Sequence, residues 1–130
     1  MILLDTHVVL WLAFDATRLS QKAKTAIDEA RQGDRGLAIS DFTLYEITVA
    51  SRRKRIGIDI SIESFLYEVE QRFVVLPITR EVCVQTLAFP PSYPNDPADK
   101  IIGATAIAQG LTLVTADQAI RKSGAVPTIW

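Results

Sequence analysis

The chain has 130 residues, 48% of them hydrophobic and 22% charged, with 14 basic against 15 acidic side chains. That size and balance fit one domain spanning residues 1–130 and exclude a disordered tail or a collagen-like repeat. One cysteine and one histidine exclude an internal disulfide, a thiolate zinc site and any mechanism that needs two imidazoles, and a net charge of −1 leaves only local attraction for a polyanion.

Ile2 to Leu4 reads as a short apolar strand ending at Asp5, and Thr6 to Ala13 as a helix. The greasy start MILLDTHVVLWLAF is broken by Asp5 and His7 and has no basic segment before it. Its longest apolar run, Val8 to Phe14, falls far short of the roughly 20 residues that span a bilayer, so neither a signal peptide nor a membrane anchor is expected, and the expected location is the cytoplasm. Ser20 is a good N-cap for a helix to about Gln32, with Gly33 as its stop. Leu37 to Ile39 is a second strand. Ser40 caps a long helix from Asp41 to about Arg55, ended by Gly57. Ser61 caps a helix to about Arg72, Phe73 to Ile78 is a third strand, and Thr79 caps a helix to about Ala88. Pro90 to Asp96 (PPSYPND) is a loop. Pro97 to Gln109 is a helix with Gly110 just past its end, Leu111 to Val114 a fourth strand, Asp117 to Lys122 a short helix, and Thr128 to Trp130 a last strand. Strands alternating with helices predict an α/β fold, a three-layer α/β/α arrangement around a central parallel sheet. In such sheets ligands bind beyond the carboxyl ends of the strands.

Four carboxylates fall where that rule points. Asp5 and Asp117 follow the first and fourth strands, Asp99 lies in the first turn of the helix before the fourth strand, and Glu46 lies about two turns into the helix after the second. Each aspartate has a local explanation: Asp5, Asp96 and Asp117 as helix caps, and Asp99 as an acid favoured by the helix dipole. Glu46 is harder to explain locally. Its neighbours on the same helix face, Phe42, Val49 and Ala50 at three and four residues and Arg53 at seven, are mostly apolar, so its carboxylate is expected on a mostly buried stripe, where it needs a partner or a metal. A pair of charges 4 Å apart repels by about 4 kcal/mol at an effective dielectric of 20. A convergent set of four would therefore call for a hard divalent cation, Mg²⁺ or Mn²⁺, and such a centre suits phosphoryl chemistry without a histidine base.

The segments ILLDTHVVLW, SDFTLYEI around Glu46, NDPADKIIGATA from Asp96 to Ala106 and LVTAD ending at Asp117 resemble those of a PIN domain, in particular the VapC-type toxin ribonucleases of toxin–antitoxin pairs. The resemblance spans nearly the whole chain. It implies a parallel sheet in the order 3-2-1-4-5 and Mg²⁺- or Mn²⁺-dependent cleavage of RNA. It also implies a homodimer and a cognate antitoxin whose C-terminal segment covers the groove. By position it implies Asp5 and Asp99 as principal metal ligands, with Glu46 and Asp117 completing the site and Asp96 as an accessory acid. Thr6 and Thr115 match hydroxyls that orient the carboxylates, and Lys100 matches a basic position beside the third acid.

Arg52, Arg53, Lys54 and Arg55 form the only basic run. It can complement the C-terminal dipole of its helix, contact RNA phosphates, or meet the antitoxin. Val8, Leu10, Trp11, Leu12 and Phe14 are more apolar than one amphipathic helix needs, which fits burial under neighbouring helices or a protein interface. His7 reads as structural or as a surface donor, Cys83 as a small buried side chain, and Tyr93 as local packing rather than a base-stacking platform. A receiver domain is disfavoured because no aspartate ends the third strand, and a haloacid-type phosphatase because Thr6 and His7 follow Asp5. A non-catalytic binding module acting through a protein partner stays open beside the nuclease.

Overall fold

The structure is a computed structural model that describes residues 1–130. Its five strands are β1 (Ile2–Leu4), β2 (Leu37–Ser40), β3 (Val74–Leu76), β4 (Thr112–Val114) and β5 (Thr128–Ile129). They pair in parallel in the order β3-β2-β1-β4-β5, the order the resemblance implies. Parallel neighbours cannot be joined by tight turns, so helices cross over between them and cover both faces. Seven helices do so: α1 (Thr6–Phe14), α2 (Gln21–Gln32), α3 (Asp41–Arg52), α4 (Ile62–Arg72), α5 (Arg80–Gln85), α6 (Pro97–Gln109) and α7 (Gln118–Ser123). The result is a three-layer α/β/α fold.

The pleat sorts the strand side chains by alternation. Leu4, Ile39 and Val114 face a core completed by Val8, Val9, Ala23, Ile27, Ile47 and Val69, which come from α1 to α4. Leu3, Ala38 and Leu113, one residue earlier on the same strands, face a second core with Tyr93, Ile102, Ala106 and Ile120. A slip of one residue in β1 would exchange Leu3 and Leu4 between the two cores, so burial on both faces fixes the register.

Helix starts follow the expected caps. Ser20 accepts from the amide of Ala23, Ser40 from Phe42, Ser61 from Ser64 and Thr79 from Val82. Asp96 accepts from the amides of Ala98 and Asp99, with Pro97 at the first helical position, and Gly110 ends α6 at φ 64°, a conformation open to glycine at no steric cost.

Three elements differ from expectation by more than one residue, and one side chain differs in burial. The helix expected to reach Arg55 stops at Arg52; Arg53 caps it and Lys54 turns left-handed at φ 54°. Continuing would stack four like charges within one turn; the turn instead lets Ile56 pack against the first core. The third strand is only Val74–Leu76, because Pro77 has no N–H to continue the ladder. Helix α5 tightens after Gln85 into a 3₁₀ turn, Thr86–Ala88, where the Thr86 hydroxyl donates to the Cys83 carbonyl at 2.6 Å. Cys83 is exposed rather than buried: the one buried residue of α5 is Val82, and the next position points about 100° away around the helix.

The apolar excess of α1 has partners from elsewhere in the chain. Trp11 packs against Trp130 with ring centroids 5.7 Å apart, and Phe14 stacks on Phe65 at 5.5 Å. No helix is long and apolar enough to cross a membrane.

Candidate metal centre

Asp5 leaves β1 at the carboxyl edge of the sheet and is almost fully buried, at 5% exposure. A buried carboxylate is tolerated where its oxygens are hydrogen-bonded, and both of these are. Oδ1 accepts from the Thr6 amide at 2.8 Å and Oδ2 from the Thr115 hydroxyl at 2.8 Å. The Thr115 oxygen also accepts from the Asp117 amide at 3.1 Å, so one threonine ties the end of β4 to the end of β1. The imidazole of His7 makes a parallel tie. Its Nε2 accepts from the Ala116 amide at 2.9 Å, while Nδ1 lies 3.6 Å from Asp5 Oδ2. Accepting at Nε2 leaves the proton on Nδ1, the side facing Asp5. Burial lowers the pKa of His7 against the pull of Asp5.

Glu46 reaches the same place from α3. Its Oε1 accepts from the Thr6 hydroxyl at 2.6 Å, and that hydroxyl is 3.0 Å from the hydroxyl of Thr43. The fully buried stripe of α3 runs through Thr43 and Ile47. Glu46, with Phe42, Val49 and Ala50, lies at its half-buried margin, not within it as expected. Burial raises the Glu46 pKa, and Asp5 and Asp96 raise it further, against the hydrogen bond from Thr6.

Asp99 shows most directly where the negative charge gathers. Half-buried in the first turn of α6, its carboxyl is pushed up to about 7, first by burial and then by Asp5, Asp96, Asp117 and Glu46. Asp96 and Asp117 also serve their own helices, Asp96 as described and Asp117 by accepting from the Ile120 amide at 2.9 Å. Capping and a shared field therefore coexist at these two positions.

Asp5, Glu46 and Asp99 line one cavity of about 400 Å³, together with Trp11, Arg18 and Arg55. Asp117 and Asp96 stand off its wall, as do Arg52, Arg53 and Lys54. Lys100 turns away to donate to Asn95 Oδ1 at 2.8 Å. Neither Glu46, Asp99 nor Asp117 has a basic partner within ion-pair distance; the chain's two ion pairs are His7–Asp5 and Arg72–Glu68. No three of the acids stand close enough to close around one ion as they are placed. The donor set is nevertheless all oxygen, from separate elements, with raised proton affinity at Glu46 and Asp99 and no basic side chain within ion-pair distance of them. That chemistry fits a hard divalent ion and does not fit zinc.

Three contributors escape a reading by motif. Thr43 shares the Thr6 hydroxyl that holds Glu46, and its place one helical turn before Glu46 is the only signal the sequence offers. Tyr93, 4% exposed, stacks on Phe89 with centroids 3.9 Å apart and donates its hydroxyl to the Asp99 carbonyl. Arg18 lies in a 3₁₀ turn (Ala16–Arg18) after α1 and reaches the cavity by folding over Trp11.

A family model described as PIN domain matches residues 2–125. Ribonuclease VapC22 of Mycobacterium tuberculosis is 36% identical over 121 residues, which cover 93% of this chain and 90% of that protein. Among solved structures, a chain of VapBC2 from Rickettsia felis, bound to a DNA fragment from their promoter, matches with a TM-score of 0.75. It is 16% identical and covers 98% of this chain and 97% of its own. A chain of DNA-bound VapBC from Salmonella typhimurium matches at 0.71 and 19% identity, covering 98% and 97%. A chain of the FitAcB structure from Neisseria gonorrhoeae matches at 0.66 and 21%, covering 98% and 96%. These likenesses between structures are likenesses of fold.

Proposed function

Because the chain belongs to the PIN domain family, we propose that it is a Mg²⁺- or Mn²⁺-dependent endoribonuclease and the toxin of a toxin–antitoxin pair, acting in the cytoplasm as one domain over residues 1–130. The observation that carries the reading is the approach of Asp5, Glu46 and Asp99, from β1, α3 and α6, to one cavity where none of them has a lysine or arginine partner. The 36% identity to a protein named a ribonuclease supports the reaction class.

Asp5 and Asp99 would hold the ion, with Glu46 and Asp117 completing the acidic pocket and Asp96 adding charge from its rim. Bound there, the cation supplies charge neutralisation for a phosphodiester and a lowered pKa for the attacking water. The rest falls to the protein. Thr115 and Thr6 keep the carboxylates of Asp5 and Glu46 in fixed rotamers, and such donors behind metal ligands typically matter 10–100-fold. The buried walls around Asp5 keep water from screening these charges.

The structural neighbours include VapBC assemblies and a toxin–antitoxin complex from Klebsiella pneumoniae, which supports a cognate antitoxin as partner. We assign a second copy of the chain as the other partner. Val84 and Leu87, 62% and 86% exposed one helical turn apart, supply an apolar contact for such pairing.

Asp5→Asn tests the nuclease. The amide keeps the size of the side chain and an acceptor for the Thr6 amide, so the variant folds; RNA cleavage in Mg²⁺ or Mn²⁺ buffer is abolished. Undiminished cleavage by the folded variant removes the reading.

A further inference from the structure

The acids occupy only part of their cavity. Its remaining wall carries two guanidinium groups, Arg18 and Arg55, and an indole, Trp11. Arg18 places its guanidinium carbon 4.2 Å from the centre of the Trp11 ring, a stacking arrangement that immobilises a long side chain while leaving its N–H edge free. Trp11 is braced in turn by Trp130 and by His7, whose ring centroid is 4.9 Å away. A continuous path of side chains thus runs from Asp5 through His7 and Trp11 to Arg18. Arg55 comes from the chain just beyond α3, its amide held by the Ala50 carbonyl at 2.9 Å and the next residue, Ile56, packed on the core.

Both arginines lack a carboxylate partner. Asp15 shares the cavity, but its carboxylate accepts from the Thr17 hydroxyl and lies outside ion-pair distance of Arg18. Two unpaired guanidiniums beside an acid centre that takes a cation suit one ligand class: a chain that repeats a negative charge along its length and carries flat rings. A single-stranded nucleic acid has both properties, and its phosphates meet the arginines.

We propose that Arg18, seated on Trp11, and Arg55 form a phosphate clamp for single-stranded RNA, gripping the phosphates on either side of the one at the acid centre. The clamp rests on the ribonuclease reading above and assigns the part of the cavity that reading leaves unused. It binds by charge and stacking, so it contributes to affinity more than to the chemical step.

The test uses the full chain with a fluorescent single-stranded RNA and Mn²⁺. In steady-state cleavage, Arg18→Ala and Arg55→Ala each raise KM about tenfold with little change in kcat, and each lowers the slope of log affinity against log salt by about 0.7, one phosphate contact per residue. Arg18→Lys restores the charge and the salt slope but only part of the affinity, since lysine lacks the planar stack. Arg35→Ala, the same charge loss before β2 at the opposite edge of the sheet, leaves KM unchanged. Thermal melts with and without Mn²⁺ match wild type for every variant. If wild type cleaves RNA and neither KM nor the salt slope moves in the alanine variants, the clamp alone is overturned. If those variants lose only binding to an acidic protein partner, the arginines serve that partner and the clamp is likewise overturned. A wild type that neither binds nor cleaves RNA overturns the ribonuclease reading and the clamp with it.

Discussion

Thr115 and Asp5 are joined across 110 positions of sequence by a hydrogen bond of 2.8 Å, the hydroxyl of one donating to Oδ2 of the other. The same oxygen of Thr115 receives the amide of Asp117. One fully buried threonine thus fixes a carboxylate on β1 and the backbone that begins α7, which is how two acids from opposite ends of the chain come to share one field.

Thr115→Val keeps the shape and removes both bonds. The buried Oδ2 of Asp5 loses its donor and the Asp117 amide its acceptor, at a cost of about 1–3 kcal/mol for each group left unsatisfied. Activity falls about 10–100-fold, because the carboxylate no longer has one rotamer. Paired thermal melts and RNA cleavage rates check this, and Thr115→Ser, which keeps the hydroxyl, recovers most of the rate. A valine variant as active as wild type would show that Asp5 needs no fixing.

Much of this was legible in the sequence, for a definable reason. Leu3 and Leu4 sit in a strand so short and apolar that both must be buried, and the helix patterns on either side leave only a parallel sheet to bury them. The aspartates were legible because each follows a strand or opens a helix, where the chain has to pass the carboxyl edge of the sheet, and Glu46, inside α3, was legible by its mostly apolar helix neighbours. The end of α3 was not: helix propensity favours Arg52 through Arg55, and the left-handed turn at Lys54 is decided by like-charge repulsion and by the burial of Ile56. Cys83 and the margin position of Glu46 escaped for a related reason, since composition suggests that a residue is apolar but only packing decides which side of a helix faces the core. Arg18 was illegible because its position is set by a tertiary contact with Trp11.

Gly103 and Tyr93 make a second structural prediction. A Cβ at Gly103 would overlap the Tyr93 hydroxyl and crowd Phe89 at 3.1 Å. Tyr93 cannot yield cheaply, because it is buried, stacked and bonded to the Asp99 carbonyl. Gly103→Ala therefore destabilises by about 1–3 kcal/mol, the usual cost of overpacking, and lowers activity by moving the first turn of α6 with Asp99. Tyr93→Phe relieves nothing at the ring but loses the hydroxyl bond, costing about 1 kcal/mol. Denaturant titration of both variants measures the order; a glycine-to-alanine change that costs less than the tyrosine-to-phenylalanine change would contradict the packing.

The proposed pairing of two copies through Val84 and Leu87 is checked by mass. Both are exposed one turn apart on α5 and the turn after it, away from the acid cavity. Replacing both with lysine puts like charges face to face in a symmetric interface, so light scattering shows a monomer where wild type shows a dimer. Cleavage per chain in metal buffer is retained, because no cavity residue is touched. A double variant that stays dimeric moves the interface elsewhere.

The crowding of acids gives the metal-free protein a definite pH dependence. Asp99 titrates at about 7 in the folded chain, against an ordinary 3.8, and Glu46 is raised as well. Between those two values the folded state keeps a proton that the unfolded state releases, so unfolding releases protons and stability falls as pH rises. The contribution is complete below about 4 and is lost as pH passes 7. In chelator, the denaturation midpoint should therefore drop between about pH 4 and pH 7, and Asp99→Asn should flatten most of that slope. Divalent ion reverses the trend, since cation and proton compete for the same oxygens. At about 100 times its dissociation constant Mn²⁺ adds about 2.7 kcal/mol, and it does so at lower free concentration at pH 8 than at pH 5. A melting temperature indifferent to Mn²⁺ at both pH values would mean that the carboxylates hold no ion, leaving the inert binding module as the better description of the chain.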